Sequence, residues 1–141
     1  MLTFARYSAY VSPQSVFVSA AWSGRLRIMR VAEMLGAEVD KPACENRHCL
    51  LPLVTAAWGG NEEAVEFLLD RGANLNNGGR LEVTPLMFAS YCGHTKIVKL
   101  LLDRGAEVNM TDSMGNTALS FARQKNQRQV ISLLLQAGAR D

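Results

Sequence analysis

The chain has 141 residues, the size of one domain, and its 48% apolar and 20% charged residues are too rich in Leu, Val and Ala for a disordered segment. A net charge of +2 gives no reason to expect a nucleic acid or a membrane surface as partner, and no apolar run approaches the roughly 18 residues that would span a bilayer. Three cysteines, Cys44, Cys49 and Cys92, make no even disulfide framework, so reduced thiols and an intracellular protein, cytoplasmic or nuclear, are expected.

From Met1 to Ala32 there are arginines at 6, 25, 27 and 30, several serines and no Asp or Glu, as in a mitochondrial transit peptide. The repeating pattern described next already begins near Ser15 and would be damaged by removing this stretch. Residues 1–14 are therefore read as an N-terminal extension, with mitochondrial targeting as the alternative.

The repeat is set by backbone requirements. Gly24, Gly60, Gly93 and Asn126 occupy one recurring position; Gly36, Gly72, Gly105 and Gly138 occupy a second, 12 residues further on in each case. Asn fits the first position because it is the usual non-glycine occupant of the left-handed region. The closing glycines are 36, 33 and 33 residues apart, so four units follow one another, about 15–47, 48–80, 81–113 and 114–141, with three residues inserted between the first two.

In the first unit one helix is predicted from Ser15 to Trp22 and a second from Leu26 to Leu35, with Ile28, Val31, Ala32 and Leu35 on one face at helical spacing. In the second unit Pro52 lies in the first helical turn, where a missing amide donor is harmless, and Ala64, Val65, Phe67, Leu68 and Leu69 line the second helix. The third unit is the most regular: Thr84-Pro85-Leu86 opens it, Gly93-His94 divides it and Gly105-Ala106 closes it. The fourth opens at Asp112-Ser113-Met114-Gly115-Asn116-Thr117, and places Arg123 where the others have Ala21, Ala57 and Ser90. A bulky charge at that small-residue position marks it as a C-terminal cap with no fifth unit beyond, and Ile131 and Leu135 are expected to stay partly exposed.

The Thr-Pro-Leu start, the central Gly-His and the Leu-Leu-Leu-x-x-Gly-Ala-x-Val-Asn ending resemble the ankyrin repeat. That resemblance implies an all-α solenoid of stacked helix-turn-helix units with hairpin tips, binding another protein and without chemistry of its own. Met87 stands where the family usually has histidine, so a helix-start hydrogen bond is expected to be lost and the third unit to be weaker than its motif suggests. Gly79 and Glu82 replace the usual Asp and Gly of the hairpin, which predicts a less regular turn.

Aligning the units places Arg27, Glu63, Lys96 and Gln129 in one column, and Arg30, Glu66, Lys99 and Ser132 in another, with signs alternating between neighbours. These columns predict charge rows along the outer helices that occupy the arginines and speak against nucleic-acid binding. His94 has the family's structural position. Cys44, His48 and Cys49 suggest zinc only weakly, since a fourth ligand is missing, and no metal or cofactor is expected. Asn77-Gly78-Gly79-Arg80 lacks the preceding strand and the Lys-Ser or Lys-Thr of a phosphate loop, and no nucleophile with an oriented base is visible, so no catalytic residue is assigned.

Two residues before each central anchor stand Trp22, Trp58, Tyr91 and Gln124. By the resemblance this position lines a concave groove, where aromatic side chains supply large contact area at low entropic cost. The hairpin positions Arg80, Leu81, Val83, Thr111, Ser113, Met114 and Asn116 would complete it. The expected partner is a protein, met as an extended segment or a helix, and the chain itself is expected to be monomeric. An alternative is a substrate-receptor or regulatory subunit of a larger enzyme complex such as a ubiquitin ligase. Asn76 and Asn109 resemble the hairpin asparagines that asparaginyl hydroxylases modify in the family, although bonding to neighbouring hairpin backbone is a sufficient reason for them.

Overall fold

The computed structural model of the protein describes residues 11–45 and 48–140. Four helix pairs run along it: α1 (Pro13–Ser23) with α2 (Leu26–Met34), α3 (Pro52–Gly59) with α4 (Glu62–Asp70), α5 (Pro85–Cys92) with α6 (Thr95–Asp103), and α7 (Ala118–Gln124) with α8 (Arg128–Gln136). Between the first two pairs lies an antiparallel hairpin of β1 (Ala43–Glu45) and β2 (His48–Leu50), pairing Ala43 with Leu50, Cys44 with Cys49 and Glu45 with His48.

Short polar residues cap the starts of three inner helices, α1, α5 and α7. Ser12 Oγ accepts from the Ser15 amide at 3.1 Å, Thr84 Oγ1 from Met87 at 3.3 Å, and Thr117 Oγ1 from Ser120 at 3.2 Å. Proline occupies the first turn of α1, α3 and α5. Helix α1 thus begins at Pro13, two residues before the expected Ser15. Gln14, assigned from sequence to the extension, is buried in the fold and bonds the backbone of Glu38 and Lys41. Residues 1–10 of that extension lie outside the described residues. The expected loss at Met87 is corrected: its Sδ accepts from the Thr84 amide at 3.4 Å, so a weak sulfur acceptor replaces the family's histidine.

The central anchors all take positive φ, between 54° at Asn126 and 77° at Gly60. The closing glycines do likewise, and each is followed by an alanine whose amide bonds back five residues, as from Ala106 to the Leu101 carbonyl at 2.9 Å.

The core runs the length of the stack. Ala20, Ala21, Ala56, Ala57, Ala89, Ser90 and Ala122 are buried where inner helices face each other. Such small side chains let α1, α3, α5 and α7 pack closely, while α2, α4, α6 and α8 touch one another far less. Tighter spacing on the inner layer than on the outer curves the stack, leaving the inner helices and hairpins on its concave side. Arg123 stands exposed in the column of those small residues, and Leu135 is exposed and Ile131 half-buried, as expected of the last pair.

Three expectations are corrected. In α2 the buried side chains are Met29 and Ala32, while Ile28, Val31 and Leu35 are exposed; the equivalents of Ile28 and Val31 elsewhere are buried or half-buried, whereas Leu35 aligns with the exposed Arg71, Arg104 and Ala137, and among the described residues no helix pair precedes α2. The ion pairs do not follow the predicted rows. Arg71 meets Glu33 at 3.0 Å, Arg104 meets Asp70 at 3.1 Å and Lys96 meets Glu62, not Glu63, at 3.6 Å. Neither Arg27 nor Arg30 takes part in these pairs, so the structural pairing expected to occupy them does not form. Finally, Cys44 and Cys49 are joined as a disulfide, leaving Cys92 as the free thiol, with its pKa pushed up by burial.

Candidate functional site: the concave face

Trp22, Trp58 and Tyr91 end successive inner helices and form part of a line of aromatic rings. Trp22 meets Trp58 edge-on with centroids 4.9 Å apart, Trp58 stacks on Phe88 at 5.1 Å, and Tyr91 meets Phe121 edge-on at 6.1 Å. The Lys125 ammonium lies 4.8 Å from the Tyr91 ring centroid. Trp22 remains 45% exposed and Trp58 39%, so the core formed by the alanines beside them does not consume these rings. Phe88 and Phe121 were not among the expected contact residues. They recur five residues before the central anchor, one helical turn from the aromatic column, so i, i+3 spacing on the inner helix could have found them.

The backbone under these rings is clasped by the next unit. Asn61 Nδ2 donates to the Trp22 carbonyl, His94 Nε2 to that of Trp58 at 3.2 Å, and Gln127 Nε2 to that of Tyr91 at 3.2 Å. A carbonyl can only accept, so His94 carries a proton on Nε2 and is the structural residue expected. These clasps lie directly over the preceding anchors: a Cβ on Gly60 would come within 2.7 Å of the His94 ring. Gly59 is held by a different contact, since its Cβ would sit 2.5 Å from the Trp22 carbonyl oxygen.

Three hollows open on this side. One of 320 Å³ is lined by Trp58, Val83, Met87, Phe88, Tyr91 and Phe121. A second, 410 Å³, is bounded by β2, Val54, Arg80, Leu81, Val83 and Phe88. The third, 470 Å³, lies between Trp22, Val18 and Thr55 of the helices and Ala43, His48 and Leu50 of the hairpin. The fold therefore collects Trp22, Trp58, Tyr91, Arg80, Leu81 and Val83 around these hollows. Gln124, Thr111, Ser113, Met114 and Asn116 line none of the three.

At the hairpin tips Leu81 is 66% exposed and Met114 84%, and the Ser113 amide bonds the Leu81 carbonyl at 3.3 Å. Asn116 is spent on its own turn: its amide and Nδ2 donate to the Asp112 carboxylate at 2.8 and 3.1 Å, and the Met114 amide adds a third bond at 2.9 Å. Burial pushes the Asp112 pKa up, but these donors outweigh it and hold the carboxyl below its ordinary value. The preceding tip has Gly79 in place of Asp112 and turns through a 3-10 segment, Gly79–Leu81; Glu82 takes the left-handed φ of 57° that Gly115 takes in the next. The irregularity expected there is this substitution of local geometry for a side-chain anchor.

Asn76 and Asn109 form a second ladder along the other hairpin edge. Asn76 Oδ1 accepts from the Glu107 amide and Asn109 Oδ1 from the Arg140 amide, both at 2.9 Å, as Asp40 does from Asn74. Bonds between units thus account for these asparagines without any modification. The Cys44 and Cys49 sulfurs are bonded to each other, and the described residues contain no group of three or more His, Cys, Asp and Glu able to hold a metal. Among the same residues no helix is long and apolar enough to cross a membrane.

Helix pairs stacked in register, with aromatic side chains along the inner layer and hairpins along one edge, define a repeat solenoid that offers an extended surface. The chain belongs to the ankyrin-repeat family: a family profile described as ankyrin repeats (3 copies) matches residues 17–112 and 53–141, two overlapping matches that together run across the four helix pairs. No curated protein sequence matches the chain. Ankyrin repeats are in general protein–protein interaction modules, and the family is typically non-catalytic.

Proposed function

We propose that this protein is a non-catalytic adaptor whose concave face holds apolar side chains of a partner protein, presented by an extended segment or a helix. The observation that carries this reading is the aromatic line of the exposed Trp22 and Trp58 and the half-buried Tyr91, extended by Phe88 and Phe121 around an apolar hollow. Large rings left half in water cost solvation, and a partner's side chains would remove that cost. The clasps at Trp58 and Tyr91 support the same reading, because a fixed backbone under an aromatic anchor lowers the entropy lost on binding. Arg80, Leu81 and Val83 flank the rings as an outer contact, and the exposed Met114 side chain would extend it to the next tip.

The test is an unbiased pull-down with the wild type and the Trp58→Ala/Tyr91→Ala double variant side by side, followed by titration of the captured partner. The double variant should weaken binding by about 2 kcal/mol or more while the circular dichroism melt moves little. Loss of fold with no separable loss of binding would return these rings to the core and refute the reading.

A further inference from the structure

We propose that Cys44 and Cys49 are a reversible thiol–disulfide site that sets the shape of the concave face. The inference rests on the binding reading above and adds its control.

Among the described residues a strand hairpin is built at this junction alone. It contains the three-residue insertion, and the other junctions stack without strands. Its strands have three residues each, and a two-stranded hairpin of that length is marginal on its own. The disulfide joins directly opposed residues with Cα atoms 4.0 Å apart. At the base, Gln14 holds the backbone of Glu38 and Lys41, so the approach to the hairpin stays fixed when the sulfur bond opens.

Beyond that base, β2 is a shared wall. His48 and Leu50 face both the Trp22 hollow and the hollow of Leu81 and Phe88. Releasing the cross-strand bond frees the wall common to two of the three hollows, including the one that contains an aromatic anchor. Both cysteines are exposed and open to attack by a small thiol, whereas Cys92 is partly buried on α5.

The co-reactant is a thiol such as glutathione. Its thiolate attacks one sulfur of the pair, forming a mixed disulfide as the Cys44–Cys49 bond breaks, and the departing thiolate takes a proton from water. A second glutathione thiolate attacks the glutathione sulfur of the mixed disulfide, so that glutathione disulfide leaves and the second cysteine is protonated. Two thiols are oxidised and one protein disulfide is reduced; the reverse exchange with glutathione disulfide restores the bond.

The experiment uses the full chain carrying Cys92→Ser, equilibrated in glutathione buffers of graded redox ratio. Alkylation and mass measurement count the free thiols. Acrylamide quenching in a Trp58→Phe background reports on Trp22 alone, with Cys44→Ser/Cys49→Ser as the permanently open reference. The expected result is exchange of both thiols and about a twofold rise in Trp22 quenching on reduction, reaching the reference value with far-UV circular dichroism unchanged. A pair that stays oxidised throughout, a Trp22 signal indifferent to redox state, or global unfolding on reduction would each overturn the proposal.

Binding of the captured partner separates the two readings. If it is lost in Trp58→Ala/Tyr91→Ala but equal in oxidised and reduced protein, the groove stands and redox control falls. If it survives the aromatic double variant, the groove reading itself falls.

Discussion

Gly59 offers a test in which two physical effects have opposite signs. It ends α3 with no positive φ, so alanine fits its backbone, and on helix propensity alone Gly59→Ala should stabilise by up to about 1 kcal/mol. The structure predicts the reverse. The new methyl would lie 2.5 Å from the Trp22 carbonyl oxygen and 3.0 Å from Asn61 Nδ2, the pair that clasps the first unit to the second. Relieving the overlap means moving backbone. Overpacking of this kind costs about 1–3 kcal/mol, and the broken hydrogen bond adds about 0.5–1.5 kcal/mol. Set against the propensity gain, the net loss is about 2 kcal/mol. In urea, with a slope of about 2 kcal/mol per molar, the midpoint should fall by roughly 1 M. Because repeat stability is a sum of nearest-neighbour terms, the loss should be confined to the first unit, with Trp22 emission changing before the far-UV signal. A variant as stable as the parent, or more so, would refute the close approach between these units.

Ser90 Oγ is buried with no hydrogen-bond partner in a column that holds alanine in the first two units, so Ser90→Ala should stabilise by about 1 kcal/mol and raise the thermal midpoint by about 3 °C in calorimetry; a lower midpoint would reveal an acceptor or water bonded to that hydroxyl. Asp112 has a pKa lowered in the folded state, so its contribution is present above the unfolded value of about 3.9 and is lost as pH falls through the folded value. Asp112→Asn should cost about 1.5 kcal/mol in urea melts at pH 7 and progressively less as the pH drops below 4; a penalty independent of pH would show that shape, not charge, anchors the turn.

The scaffold was legible because its markers are local. A glycine or asparagine at positive φ and a proline in a first turn declare themselves without knowledge of neighbours. What escaped depended on neighbours. The apolar face of α2 was correctly periodic, yet Ile28 and Val31 are covered only if another unit precedes them. The charge columns paired the right signs, but Lys96 meets Glu62, one position before Glu63, and the other pairs between units form at Arg71 and Arg104, the residues that cap α4 and α6. The disulfide required a strand register that an odd cysteine count does not suggest. Of the expected contact residues, the fold gathered Trp22, Trp58 and Tyr91 with Arg80, Leu81 and Val83, and left Gln124 and the fourth-unit tip outside the hollows. Phe88 and Phe121 were hidden because their column also holds Ser19 and Thr55, which conceal its aromatic character in the first two units.

The clasps from Asn61, His94 and Gln127 also bear on how such a chain can be recombined. Each aromatic ring and the side chain that steadies it are encoded 36 to 39 residues apart, in adjacent units. Moving a single unit into another solenoid would carry a ring away from its support and bring an unrelated support under the ring before it. A graft that cuts after the clasping residue, with Trp58 travelling together with His94, would keep an anchor and its fixing point as one inheritable piece.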